Sequence, residues 1–353
     1  MFEALIDQFG DGAVLAMAGC LVGLLFGAMA QHSRFCLRAA CVEVSEGKLG
    51  PRLHIWLIAF GAAVASVQGA IAIGWLDVSE SRQLATTGSL SGAIIGGLLF
   101  GCGMILARGC ASRLLVLSAT GNLRAIVTGL VLTLVAQASL RGALAPAREN
   151  LSALWLVQGG EDRSLLTQMG LSSTMVAILA GAAVLLTFGL SRRNQVAPTR
   201  AIAAAGVGLA VGLGWFLTYG ISQTSFEVVP ISSVTFTGPA TDTLMGLVNS
   251  SELPLNFGIG LVPGVFFGAG LMALVTREAK IDRFGPDTPM ERYLIGAVLM
   301  GFGSMLAGGC AVGAGMSGGS VFALTAWVAV FCMWVGAMLT HRLMQRGWLA
   351  RAA

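Results

Sequence analysis

The chain has 353 residues, 56% of them hydrophobic and only 11% charged, with a formal net charge of +4. A soluble domain of this size carries about 25% charged residues, so a water-surrounded fold is excluded. The cations fall between apolar runs, which argues against nucleic acid as a partner. The seven cysteines include no C-x-x-C and stand beside only three histidines, so no metal or other cofactor is expected.

Apolar runs long enough to cross about 30 Å of hydrocarbon recur along the whole length. The start "MFEALIDQFGDG" is acidic where a signal peptide is basic, and no small-residue cleavage site follows, so the first span is expected to be retained. Nine spans are predicted, at 13–31, 53–76, 88–107, 122–141, 171–190, 201–219, 255–276, 291–308 and 322–341. With these spans, 17 of the 21 Lys and Arg residues lie on one side, in odd-numbered loops and the C-terminal tail. Only Arg82, Arg141, Arg148 and Arg163 lie on the other. The positive-inside rule then places the C-terminus in the cytoplasm and the N-terminus in the periplasm.

At the end of the third span the chain reads "GCGMILARGCASR" (101–113), and at the end of the eighth "GFGSMLAGGCAVG" (301–313). Seven positions agree without a gap, including Gly109/Gly309, Cys110/Cys310 and Ala111/Ala311. An offset of five spans turns the second copy upside down. The expected fold is therefore an all-α polytopic membrane protein of about nine helices in two inverted four-helix repeats. Residues 1–141 form the first repeat, 142–200 an external loop and connector span, and 201–353 the second repeat. Inverted repeats place substrate sites near the bilayer midplane.

Glycine also serves close helix packing, as in "GLLFG" at 23–27 and 97–101 and "GVFFG" at 264–268. Packing explains less well why "GGCAVGAGMSGGS" (308–320) breaks an apolar run. That uncharged stretch fits a re-entrant loop, irregular backbone tolerated at membrane depth where protein or water surrounds it. Its free N–H groups favour an anion. A neutral thiol there is a soft, weak donor that suits a sulfur-bearing anion and holds it loosely enough to release.

A third cysteine lies in loop one, "QHSRFCLRAAC" (31–41), where Cys36 sits between Arg34 and Arg38. The inverted counterpart of that loop is "ISQTSFEVVPISSVTFTGPATDTL" (221–244), free of Lys and Arg. It reads either as a source of hydroxyl and backbone donors to an external vestibule or as an ordinary exposed loop. Arg108 and Arg113 flank Cys110, and either attract an anion to the cytoplasmic mouth or simply follow the positive-inside rule. Cys20, Cys102 and Cys332 read as small buried hydrophobes.

These inverted halves, the paired "GC-A" turns, the "RFC" loop and the "TFTGP" loop together resemble the YeeE/YedE family of bacterial inner-membrane proteins across essentially the whole chain. The resemblance implies a thiosulfate uptake protein in which three cysteines pass the anion along by S–H···S contacts. Matched by motif, they are Cys36 in "RFC", Cys110 in "RGCAS" and Cys310 in "GGCAV". It also implies a cytoplasmic TusA-like sulfurtransferase as partner. Some relatives are associated with selenium or other sulfur compounds, so the resemblance leaves the substrate open among them.

No Asp or Glu lies well inside a predicted span, which argues against proton coupling through a buried acid. No G-x-x-x-x-G-K-[ST] occurs, so no ATP hydrolysis is expected on this chain. Three other classes compete with transport. "GMSGG" (315–319) matches G-x-S-x-G formally and nominates Ser317 as a nucleophile, although no strand precedes it. A membrane sulfurtransferase requires one cysteine to be covalently modified. A scaffold protein requires none beyond folding.

Overall fold

The computed structural model describes residues 2–249, 254–284 and 289–346. A short helix α1 (Phe2–Phe9) leads into α2 (Asp11–Ser33), which stops where Arg34 turns left-handed and returns its N–H to Ala30 and Gln31 carbonyls. After Cys36 a second, nine-residue helix α3 (Leu37–Ser45) follows, then α4 (Pro51–Ala72), which has proline in its first turn, where no helical N–H is needed. One turn of helix, α5 (Arg82–Ala85), and the two-residue strand β1 (Gly88–Ser89) precede α6 (Leu90–Leu106). The Ser89 hydroxyl caps α6 by accepting from Gly92 N–H at 2.8 Å.

The chain then turns through Arg108–Cys110 into α7 (Ala111–Ala119) and continues as α8 (Leu123–Arg141), capped by Asn122. On the far side, α9 (Ala145–Ala153) and β2 (Leu156–Val157) follow, β2 pairing antiparallel with β1. Short α10 (Leu165–Met169) leads to α11 (Ser173–Arg193) and α12 (Pro198–Ser222). An irregular segment, 223–236, enters α13 (Thr237–Asn249), then α14 (Phe257–Val275) and α15 (Met290–Leu306). A π-helical turn (Gly313–Gly318) precedes α16 (Leu324–Gln345).

The molecule is thus an all-α polytopic membrane protein. Among the described residues, eight helical segments are long and apolar enough to cross a bilayer, and their positions follow the predicted spans closely. Two of them, Asp11–Ser45 and Leu90–Ala119, take in α3 and α7, which lie in the expected loops one and three. The remaining predicted span, 291–308, is the 17-residue helix α15. Arg351 of the C-terminal tail lies outside the described residues.

Packing is governed by glycine. Helix α2 presents Gly19, Gly23 and Gly27 to the backbone carbonyls of Phe257, Leu261 and Val265 on α14, and α14 returns Gly260, Gly264 and Gly268 to Ala16, Cys20 and Leu24. The two motifs "GLLFG" and "GVFFG" therefore meet each other, backbone against backbone. Gly97 and Gly101 bring α6 equally close to α16. Elsewhere α12 packs on α4 and on α2, α15 on α6 and α8, and α11 rests mainly on α4 with most of its surface exposed.

Between α15 and α16, residues 309–321 are buried throughout although only one π-helical turn is regular. An uncharged segment of small residues is what such burial demands, since each side chain must fit against neighbouring backbone. The irregular segment 223–236 divides in two. Phe226 and Val228 are fully exposed, whereas Ser233, Val234 and Phe236 are buried. Their hydroxyl and backbone groups are satisfied internally: Ser233 donates to Val211 O at 2.6 Å, and Thr218 to Ser232 O at 2.6 Å.

Candidate functional site

Cys36 and Cys110 stand at equivalent places in their elements. Each is the residue before a nine-residue helix, Cys36 before α3 and Cys110 before α7, with extended backbone and no side-chain cap bond. The two turns bring the thiols near one another. Cys110 is 1% exposed and also meets Ser112 Oγ at 3.3 Å. Arg113 lines the same cavity as Cys36, and its Nη1 donates to Gln31 Oε1 at 3.4 Å.

Cys36 opens onto a cavity of about 640 Å³ at one end of the molecule. Arg34, Arg38, Arg52, Arg108, Arg113, Arg277 and Lys280 line it, and among the described residues Glu278 is the one carboxylate of its lining. Arg34 donates to Glu278 Oε1 at 2.7 Å and Gln31 to Oε2 at 2.9 Å. Arg34 holds the Glu278 carboxyl below the usual carboxylate range, against a smaller opposing effect of burial. The Arg38 Nε is buried without a partner. The wall is closed by the chain after α14, where Lys280 N–H donates to Thr120 O at 3.1 Å and Asn122 Nδ2 to Asp282 Oδ2 at 2.8 Å. Arg108 and Arg113 therefore line one cavity with Cys36, whichever of their two sequence readings applies.

Cys310 belongs to the other turn. It is 1% exposed, and its sulfur accepts from Gly313 N–H at 3.5 Å. Gly309 and Ala311 beside it are buried, as are Cys110's neighbours Gly109 and Ala111. Gly308 before it is left-handed, with φ 77°, and its counterpart Arg108 has φ 55°. Adjacent to this turn, a cavity of about 220 Å³ is lined by Gly308, Gly313, Ala314 and Gly318 together with Arg82, Arg148 and Arg163. These three arginines belong to the sparsely charged side expected from the sequence, where no motif marks them. Their convergence could not be seen there, because they come from α5, α9 and the 3₁₀ turn Glu161–Arg163.

The remaining cysteines occupy helix interfaces. Cys20 and Cys332 are within α2 and α16, Cys41 is fully buried in α3, and Cys102 lies 3.7 Å from Gly336 O. Ser317 donates its hydroxyl to Val234 O at 2.6 Å. His341 lies 3.5 Å from Glu46, and His54 is bonded to Gly50 O and Asn194. Serine catalysis has no support in these contacts, since the hydroxyl's acceptor is a carbonyl and not an imidazole. Among the described residues no cluster of three or more metal-ligating side chains occurs.

The model of one family, described as sulphur transport, matches residues 32–339. Over 328 residues the chain is 30% identical to a thiosulfate transporter, TsuA, of Spirochaeta thermophila, covering 88% of this chain and 93% of that relative. It is 25% identical over 367 aligned positions to the thiosulfate transporter TsuA of Escherichia coli K12, covering 96% of this chain and 99% of the relative.

Proposed function

This chain belongs to the sulphur transport family, and on that premise we propose that it carries thiosulfate inward across a bacterial inner membrane by way of Cys36, Cys110 and Cys310. The observation that carries the reading is the convergence of Cys36 with seven cations, Arg113 among them, on one cavity, while Cys110 is buried at the equivalent turn before α7. Thiosulfate has a doubly charged oxyanion end and a soft terminal sulfur. The arginines offset the charge, and the cysteine sulfurs meet the terminal sulfur through contacts weak enough to let go. The cation-rich cavity is then the cytoplasmic mouth, with the N-terminus periplasmic and the C-terminus cytoplasmic.

In this reading residues 1–141 and 201–353 are inverted halves joined by 142–200, and the two cysteine turns meet near the midplane. Packing supports it by exchange of partners. Helix α2 lies on α14 as α12 lies on α4, and α6 lies on α16 as α15 lies on α8. Ala107 and Ala307 end α6 and α15 with the same dihedrals, φ −74° and ψ −5°. The backbone of Gly109, Ala111, Gly309 and Ala311 shapes the turns around the thiols.

No reaction on the chain is needed, so it acts as a transporter and not as an enzyme. A doubly charged anion entering against a negative interior meets about 2.3 kcal/mol per charge per 100 mV. Consumption of the anion inside by a TusA-like sulfurtransferase would draw uptake forward. The test is growth of a thiosulfate-dependent bacterial strain expressing this chain, with sulfate and selenite uptake as controls. Growth restored only by selenite or sulfate uptake sinks the substrate assignment.

A further inference from the structure

The smaller cavity beside the Cys310 turn is built around a buried cation with no carboxylate to answer it. Arg163 is 6% exposed. Its Nη1 donates to Thr86 O at 2.6 Å and its Nη2 to Thr325 Oγ1 at 2.7 Å, while Nε is buried without a partner. The guanidinium lies over bare backbone at Gly88, where a Cβ would come within 2.7 Å of Nε. These contacts are neutral and fix its position without neutralising it. Desolvating a cation without a counter-charge is costly.

Two further arginines converge there. Arg148 is held by Ser139 O, 2.7 Å from its Nε, and its outer nitrogen pairs with exposed Glu149 at 3.0 Å. Arg82 is exposed and reaches Gly308 O over a long 3.4 Å contact. That carbonyl lies two residues before Cys310. No carboxylate is among the cavity's described lining residues, and Gly308, Gly313 and Ala314, on either side of Cys310 in the chain, line it. Three planar guanidiniums around a small cavity suit a tetrahedral oxyanion, which accepts their paired N–H bonds.

We propose that Arg82, Arg148 and Arg163 form a receiving site for a doubly charged sulfur oxyanion, from which it passes to the Cys310 turn. Arg163 is the fixed charge. Arg82 is the latch, exchanging its weak contact with Gly308 O for the arriving anion. The direction of passage rests on the thiosulfate-uptake reading above, whereas anion binding at the three arginines does not.

The test compares the full chain in lipid nanodiscs with its Arg82→Gln, Arg148→Gln, Arg163→Lys and Cys310→Ser variants. Calorimetric binding of sodium thiosulfate and sodium sulfate is measured against sodium chloride at equal ionic strength, alongside cellular thiosulfate uptake. Loss of one charged hydrogen bond weakens binding about tenfold. Arg82→Gln is therefore expected to raise both the Kd and the half-saturating concentration by about that factor, with the maximal rate nearly unchanged. Arg163→Lys keeps the charge but loses the fork, and is expected to weaken binding too. Cys310→Ser is expected to bind thiosulfate as the parent does while failing to import it.

Parental binding and parental half-saturation in both Arg82→Gln and Arg148→Gln overturn the receiving site; Arg82 is exposed and Arg148 partly so, and these variants carry the test if Arg163→Lys does not fold. Arginine-dependent binding of sulfate by a chain that imports no thiosulfate upholds the site and removes the substrate reading instead.

Discussion

Glu278 and Arg34 form an ion pair 2.7 Å long across the mouth of the cationic cavity, joining the chain after α14 to the end of α2. Both side chains are about one-third exposed, so solvent screens the pair and its worth is below about 1 kcal/mol. The Glu278 carboxyl titrates below its ordinary value because Arg34 stabilises its charge. A lowered folded-state value contributes stability above the unfolded carboxylate's titration and loses it as pH falls through the lowered value. Glu278→Gln is therefore expected to lower the unfolding temperature slightly near neutral pH and to match the parent in strong acid. Thermal unfolding across pH measures this, and an equal deficit at both ends would show that the carboxylate's charge is not the cause.

Sulfur and fold can be separated at Cys36 and Cys110, because both precede helices at positions where serine is a favoured cap. Cys36→Ser and Cys110→Ser are expected to keep parental protein levels and thermal stability while losing most thiosulfate uptake. Cys310→Ala is expected to lose uptake as well, with a stability cost of roughly 1 kcal/mol for the buried atom removed. Cys20→Ala and Cys332→Ala, within helix interfaces, are expected to import near the parental rate. Labelled thiosulfate uptake normalised to membrane protein decides it. Import at the parental rate by Cys310→Ala defeats the relay.

The spans were legible because apolar runs of membrane length have few other readings, and the helix bounds fall within a few residues of expectation. The residues after Cys36 and Cys110 read as loops because "CLRAACVEVS" and "CASRLLVLSA" are too short and too polar to signal a span, yet each makes nine residues of helix. Likewise α13 begins at "TGP", which looks like a turn, although proline in a first helical turn costs no hydrogen bond. The "GC" turns drew notice through repetition. The Arg82–Arg148–Arg163 cluster left no sequence mark, since three cations scattered over 82 residues acquire meaning only when three separate elements fold together.

Glycine positions offer a direct test of the helix contacts. Gly27 faces the Val265 carbonyl so closely that any Cβ forces α2 away from α14. Gly27→Ala is expected to reduce folded yield and thermal stability, and Gly27→Val more so. Gly181 in α11 has nothing within 4 Å of an added Cβ. Gly181→Ala is expected to be neutral or to stabilise by about 0.5–1 kcal/mol, the ordinary helix preference for alanine. Detergent-solubilised yield and unfolding temperature compare the two, and equal loss at both positions would remove close packing as the explanation.

Arg108 and Gly308 place an arginine and a glycine at the same left-handed position after α6 and α15, φ 55° and 77°. A left-handed L-residue costs about 1–2 kcal/mol that glycine avoids, so the arginine is retained at a backbone position suited to its counterpart. Its guanidinium lines the cationic cavity with Cys36. Arg108→Gly removes the strain and the charge together, while Arg108→Ala removes only the charge. Arg108→Gly is expected to unfold at or above the temperature of Arg108→Ala, and both are expected to need a higher thiosulfate concentration for half-maximal uptake. If half-saturation stays parental in both, Arg108 serves orientation in the membrane alone and takes no part in gathering the anion.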